Sequence, residues 1–233
     1  MPDVRGGTRR DAVATRKRLI RAALELFTSR GYHATTTPAI AARAGVAEGT
    51  IYRHYASKEA LLNEVYREAQ RWAVRVAREG EGEKGVRTPE RLRRIARRLV
   101  ATAHEDPSLV RMLLHPRDDV ELDDLSRQAV REFQEELVQM VATGKQERTV
   151  RTGSAELWAA VWLALVAFVT ERVAAREWAP DHANVEQALD AAWDAIAWRS
   201  PEAAPPAPSP AGEAGLKPPH TLPPADSGAP AST

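Results

Sequence analysis

The chain has 233 residues, 43% of them hydrophobic, and no cysteine, which is enough to bury one large core or two modest ones but excludes a disulfide framework or a thiolate metal site. Its formal charge of +1 conceals an asymmetry, because residues 1–60 carry 11 Lys and Arg against 5 Asp and Glu, leaving the remainder net acidic. A polyanionic partner would therefore be met at the N-terminal end.

Residues 1–11 are polar, with Gly6-Gly7 and few apolar side chains. They are expected to form a mobile basic arm that either reaches a neighbouring minor groove or only adds positive charge. Arg5, Arg9, Arg10, Arg16, Lys17 and Arg18 precede no apolar run of signal-peptide length, so a cytoplasmic location is expected. From Ala12 to Arg30 the apolar positions Leu19, Ile20, Ala23, Leu24 and Phe27 recur at helical spacing, and Gly31 closes the helix. Tyr32 then packs back on it or meets a phosphate through its hydroxyl, and His33 is expected to be a solvent-facing loop residue.

Pro38 suits a helix start after Thr36 or Thr37. Gly45 ends that helix in the left-handed conformation, Val46 fills the corner, and a second short helix begins within two residues. This is a helix-turn-helix. On the second helix Ile51 and Tyr55 lie four apart and face the core, which leaves Glu48, Gly49, Thr50, Tyr52, Arg53 and His54 outward. Ser57 can cap a third helix that starts at Lys58.

With Gly31-Tyr32-His33-Ala34-Thr35-Thr36 upstream, the run Ala44-Gly45-Val46-Ala47-Glu48-Gly49-Thr50-Ile51-Tyr52-Arg53-His54-Tyr55-Ala56-Ser57-Lys58-Glu59-Ala60-Leu61 resembles the DNA-binding domain of the tetracycline-repressor (TetR/AcrR) family. The resemblance implies that Glu48, Gly49, Thr50 and Arg53 meet base edges, and that Thr36, Tyr52, His54 and Lys58 meet phosphates. The chain departs from the family pattern at two points. Ala47 replaces the usual capping serine, removing about 1 kcal/mol of helix stabilisation, and Ala39 replaces a common acidic residue, so no capping box forms. Glu48 repels phosphate; it would serve by accepting from a cytosine amino group, or by capping or orienting Arg53.

Leu61, Leu62, Val65, Ala69, Trp72 and Val76 mark a long helix from Lys58 to about Arg78. The family resemblance implies that it joins the DNA-binding and regulatory domains and moves when ligand binds. Tyr66 and Trp72 on it face either a pocket or the core. Residues 79–85 form a Gly-rich loop. Thr88-Pro89-Glu90 begins another helix, whose stripe of Leu92, Ile95, Ala96, Leu99, Val100 and Ala103 lies opposite five arginines. Asp106-Pro107 begins the next helix, and His115-Pro116 ends it. A further segment runs from about Leu122 to Val141.

Ser154 caps a helix containing thirteen consecutive apolar residues, 157–169. That run spans about 20 Å as helix, too short for a hydrocarbon core of roughly 30 Å, so it should be buried all round, partly by a second subunit. The last helix runs roughly from Asp181 to Trp198. A homodimer through these last two helices is expected, and the family resemblance implies the same. After Ser200 the chain is dominated by Pro, Ala, Gly and Ser and should be disordered.

No metal-spaced histidine pair, Gly-rich phosphate loop or nucleophile elbow is present in the sequence. Neither an enzyme nor a cofactor is called for. Polar residues inside apolar helices, with nearby aromatics and methionines, are the candidate lining of an effector pocket: His104, Arg111, Met112, His115, Met140, Trp158, Trp162, Phe168 and Arg172. The expectation is an all-α chain with a helix-turn-helix DNA-binding domain (12–62), a helical ligand-binding and dimerisation domain (63–199) and a Pro/Ala-rich tail (200–233). It would be a repressor, released from a palindromic double-stranded DNA operator by a small, largely apolar effector, with no membrane partner. Two readings of other classes stand beside this: an effector-binding helical protein without specific DNA affinity, and an all-helical enzyme using buried His and Arg.

Overall fold

A computed structural model of the chain describes residues 4–79, 85–114 and 122–199, with side chains from residue 11 onward. The tail and His115 lie outside the described residues. Nine helices are found among them: α1 (Val4–Arg30), α2 (Thr37–Ala44), α3 (Gly49–His54), α4 (Lys58–Arg78), α5 (Thr88–Glu105), α6 (Pro107–Leu114), α7 (Asp124–Gln146), α8 (Ala155–Ala174) and α9 (Ala183–Asp194). Helix α1 reaches back to Val4, so residues expected to form a loose arm are helical. Helix α7 continues five residues beyond the expected end at Val141, whereas α9 stops at Asp194. Beyond α9 the chain turns antiparallel to the α7–α8 loop, where Val150 bridges Ala197 and Arg151 N–H donates to Ile196 C=O at 3.0 Å.

Side-chain caps define most helix starts. Thr36, Ser57, Asp123 and Ser154 each accept from a backbone N–H three residues on, each contributing about 1 kcal/mol. Gly45, at φ 65°, closes α2 with the paired 6→1 and 5→2 bonds of a Schellman motif: Val46 N–H to Ala41 C=O, and Gly45 N–H to Ala42 C=O.

Two hydrophobic cores are strung along α4. The first gathers Leu19, Phe27, Ile40, Ile51, Leu61, Leu62, Val65 and Ala69 with Met112 from α6; the second begins at Ala73 and collects α5, α7, α8 and α9. The break between the two cores falls inside α4, between Ala69 and Ala73. Helix α6 straddles it, sending Met112 into the first core and Val110 and Leu113 into the second.

Two features depart from simple helical reading. Gly144 sits inside α7 where an added Cβ would lie 2.6 Å from Val150 Cγ2 and 2.8 Å from Thr88 Cγ2. Both neighbours are β-branched and buried, so neither can swing aside. Gly144→Ala is expected to lower stability by about 1–3 kcal/mol, against the usual gain for Gly to Ala in a helix, as read by urea denaturation. The other departure is α8, which is not buried all round: Leu157, Leu165 and Phe168 are exposed. By length and composition α8 could cross a membrane, but it packs on α5, α6, α7 and α9.

Candidate nucleic-acid interface and effector cavity

Ile51 is fully buried and Tyr55 nearly so, so α3 is held by one apolar edge and offers the other to solvent. Glu48, Gly49, Tyr52 and Arg53 are exposed, and Thr50 and His54 are half-buried. Nothing lies within 4 Å of the Cβ that an alanine would add at Gly49, so its approach to another molecule is unobstructed. Glu48 makes no side-chain cap to α3. The Tyr52 hydroxyl lies 3.1 Å from Thr37 Oγ1, which ties the outward face of α3 to the start of α2, beside the exposed Thr36.

Lys58 is engaged internally. Its Nζ donates to the carbonyls of Tyr32 (3.1 Å) and Thr35 (3.0 Å) and stands 4.1 Å from the Tyr32 ring centroid. It straps the loop between α1 and α2 and retains one of three donors for a phosphate. Tyr32 itself donates to Glu59 Oε1 at 2.5 Å. That hydrogen bond, first among the causes, holds the Glu59 carboxyl down to about 2, and burial together with this partner pushes the Tyr32 phenol up.

A second polar system begins where α3 ends. Arg16 Nε donates to Tyr55 Oη at 3.2 Å, and Arg16 Nη2 reaches Glu64 Oε1 at 2.9 Å. Arg67 and Arg71 close on the same carboxylate at 2.8 and 2.9 Å. Arg67 continues to Asp123 at 2.9 Å, the residue that caps α7. Burial alone would raise the Glu64 pKa, but hydrogen bonds from Arg67 and Arg71 and the charges of Arg16 and Arg67 outweigh it and lower it. The sequence named Arg16 only as a basic N-terminal residue and Tyr55 only as a core residue, and it did not single out Glu64, Arg67, Arg71 or Asp123, whose pairing depends on contacts between helices.

The larger cavity, about 750 Å³, lies between α4, α6, α7 and α8 and is lined by Tyr66, Gln70, Leu113, Leu114, Val130, Phe133, Leu137, Val138, Ala159, Leu163 and Ala167, among others. Of the nine residues expected to line a pocket, the eight that are described do not line this cavity. Met112 and Met140 are core residues. Arg111 pairs with Glu171 at 2.9 Å and Arg172 with Glu177 at 2.6 Å, while His104 Nδ1 sits 2.6 Å from Arg176 Nη1 on the surface. Trp158 donates to Thr152 C=O at 2.9 Å. Phe168 is exposed and edge-on to Trp178. Trp162 lines a smaller cavity of about 460 Å³ between α5, α8 and α9. The described polar members are paired elsewhere in the fold; among the described residues that the sequence named for a pocket, only Tyr66, left open between pocket and core, lines the larger cavity.

Residues 19–65 match the family described as bacterial regulatory proteins, tetR family. The HTH-type transcriptional regulator UidR of Escherichia coli (strain K12) is 36% identical over 69 residues, 30% of this chain and 35% of UidR. The match thus spans about a third of that relative's length. The HTH-type transcriptional repressor KstR of Rhodococcus jostii (strain RHA1) is 31% identical over 170 residues, covering 70% of this chain and 76% of KstR. The chain belongs to the tetR family. Among solved structures, the transcriptional regulator FadR from Bacillus subtilis, in complex with stearoyl-CoA, superposes with a TM-score of 0.61 at 23% identity, over 77% of this chain and 98% of that one. Membership in the tetR family makes the α2–α3 unit its helix-turn-helix.

Proposed function

We propose that the protein is a homodimeric, sequence-specific repressor of the cytoplasm that carries out no catalytic step and leaves a palindromic operator when a small, largely apolar effector binds. The observation that carries this reading is the outward face of α3, held by Ile51 and Tyr55 and unobstructed at Gly49. Each subunit places α3 in a major groove, with half-sites about one helical turn, or a multiple of it, apart. Glu48, Gly49, Thr50 and Arg53 meet base edges; Thr36, Tyr52, His54 and the remaining donor of Lys58 meet phosphates. Repression is supported by the name of the KstR relative.

The effector site is the cavity between α4, α6, α7 and α8, whose 750 Å³ falls within the usual range for small-molecule sites. The FadR complex with stearoyl-CoA supports a ligand with a long apolar body. An effector that binds better when the two α3 helices are held at the wrong separation lowers operator affinity by that difference.

Anisotropy titrations of the full chain against DNA flanking its own gene, at two salt concentrations and with scrambled competitor, test the reading. Specific, steeply salt-dependent binding is expected. Arg53→Ala should relax preference at one base by about 1–3 kcal/mol while leaving binding to scrambled DNA nearly unchanged. Equal losses on both DNAs would remove Arg53 from base reading, and wild-type binding no tighter than to scrambled DNA would overturn operator recognition there.

A further inference from the structure

Gln70 lies on α4 and lines the larger cavity, yet its residue surface is only 3% exposed. Its Oε1 is buried, and no described residue donates a hydrogen bond to it. A buried amide oxygen left this way costs about 1–3 kcal/mol, and such groups are rare enough in folded proteins that each needs a reason. Beside it the deep wall of the cavity is hydrocarbon, from Leu113, Phe133, Leu137 and Ala159. The charged lining residues, Arg131, Glu135 and Glu156, are all exposed at the rim.

We propose that Gln70 reads an uncharged hydrogen-bond donor, a hydroxyl or N–H, carried on an apolar effector. This rests on the assignment of the cavity as the effector site and goes beyond it by naming the group that is recognised. The distribution of charge decides between head groups. A carboxylate placed against Gln70 would find no cation on the buried wall and would face the amide oxygen, acceptor against acceptor. An ammonium would be stripped of water with no carboxylate at that depth to meet it. A hydroxyl needs neither, and because it can also accept, it suits either orientation of the amide. Apolar contact supplies affinity, and Gln70 supplies the choice among ligands of similar shape, since a site built to hydrogen-bond a polar group discriminates against the analogue lacking it.

Calorimetric titration of the full chain with 1-decanol, decyl methyl ether, decanoate and decylammonium tests the proposal. The ether keeps the apolar chain and the oxygen but has no donor. The alcohol should bind about tenfold tighter than the ether, and both ions should bind more weakly than the alcohol. In Gln70→Leu the alcohol and ether should bind alike. The same substitution should raise the melting temperature, because it removes a buried acceptor that no described residue serves; a merely structural glutamine would lower it. Leu163→Trp, which fills the cavity from α8, should abolish binding of every probe. Equal binding of alcohol and ether to the wild type, or a preference that survives in Gln70→Leu, overturns the role of Gln70 while leaving the cavity in place. Failure of every probe to bind, or binding that Leu163→Trp does not affect, overturns the cavity assignment and this proposal with it.

Discussion

Replacing Leu165 and Phe168 together by glutamate is expected to convert the dimer to a monomer and to lower operator affinity by about 100-fold or more. Leu157, Val161, Leu165 and Phe168 follow one another at helical spacing along α8, and the exposed members among them are 52%, 37% and 48% accessible for Leu157, Leu165 and Phe168. Helix α9 packs on α8, and two of its acidic side chains are engaged by α5: Glu186 pairs with Arg97 at 3.0 Å and Asp190 pairs with Arg93. Those pairs turn the acidic side of α9 toward α5 and leave the smaller residues Ala183, Asn184, Gln187 and Ala191 exposed beside the apolar stripe.

Across a two-fold axis each substitution acts twice. Four large apolar groups are withdrawn, each worth about 1.5–3 kcal/mol when fully buried, and four carboxylates meet in the interface, where the nearby Arg172 guanidinium, 5.0 Å over the Phe168 ring, is already paired with Glu177. That total is large against the free energy of a micromolar dimer. Loss of the dimer makes the two half-site contacts independent, and the loss of avidity is of order 100- to 10,000-fold. Because both side chains are already 37% and 48% accessible in the single chain, circular dichroism and the thermal midpoint of the monomer should change less than for a core substitution. Sedimentation at several concentrations, paired with operator titration, reads both effects. A variant that still sediments as a dimer would place the interface on another face.

The helix-turn-helix was readable almost residue by residue, whereas the larger cavity was not, and the reason is physical. Gly45, Val46, Ser57 and the Ile51–Tyr55 pair act through local geometry: a positive φ, a cap three residues on, a spacing of four. Such constraints are written in neighbouring letters. The cavity draws on four helices, and its α7 stripe of Val130, Phe133, Leu137 and Val138 has the same periodicity as a core stripe. Nothing local tells a wall from a core. Conversely, Arg111, Arg172 and His104 looked like pocket residues because they are polar amid apolar neighbours, but Glu171, Glu177 and Arg176 answer them across the fold or along it. Gly144 escaped notice for the same reason: the side chains that require a glycine there, Val150 and Thr88, come from other parts of the chain.

Glu64→Ala is expected to destabilise the protein by about 2–3 kcal/mol and to weaken the response of operator binding to effector. Its carboxylate receives Arg16, Arg67 and Arg71 at 2.8–2.9 Å, and only 12% of its side chain is exposed. Removing one partner from a fully buried pair costs about 3–5 kcal/mol; the figure is lower here because the Arg16 and Arg71 side chains remain 51% and 45% exposed and regain water. Position makes this cluster more than a surface network. Through Arg16 it touches Tyr55, directly after α3, and through Arg67 it touches Asp123, the cap of the helix that walls the cavity. A shift of α7 on effector binding therefore has a continuous polar path to α3. Arg71→Ala is the control, since Arg71 meets Glu64 and Glu68, both on α4, and should cost under about 1 kcal/mol with the effector response intact. Acidity gives a second readout: a carboxyl whose folded pKa is lowered stabilises the fold above its unfolded value near 4.5 and loses that contribution as pH falls below it. The difference in stability between wild type and Glu64→Ala should therefore shrink on acidification from pH 6 toward pH 3. Equal melting temperatures and equal effector responses for Glu64→Ala and Arg71→Ala would reduce the cluster to ordinary surface pairing and send the coupling through the apolar contacts of α6 instead.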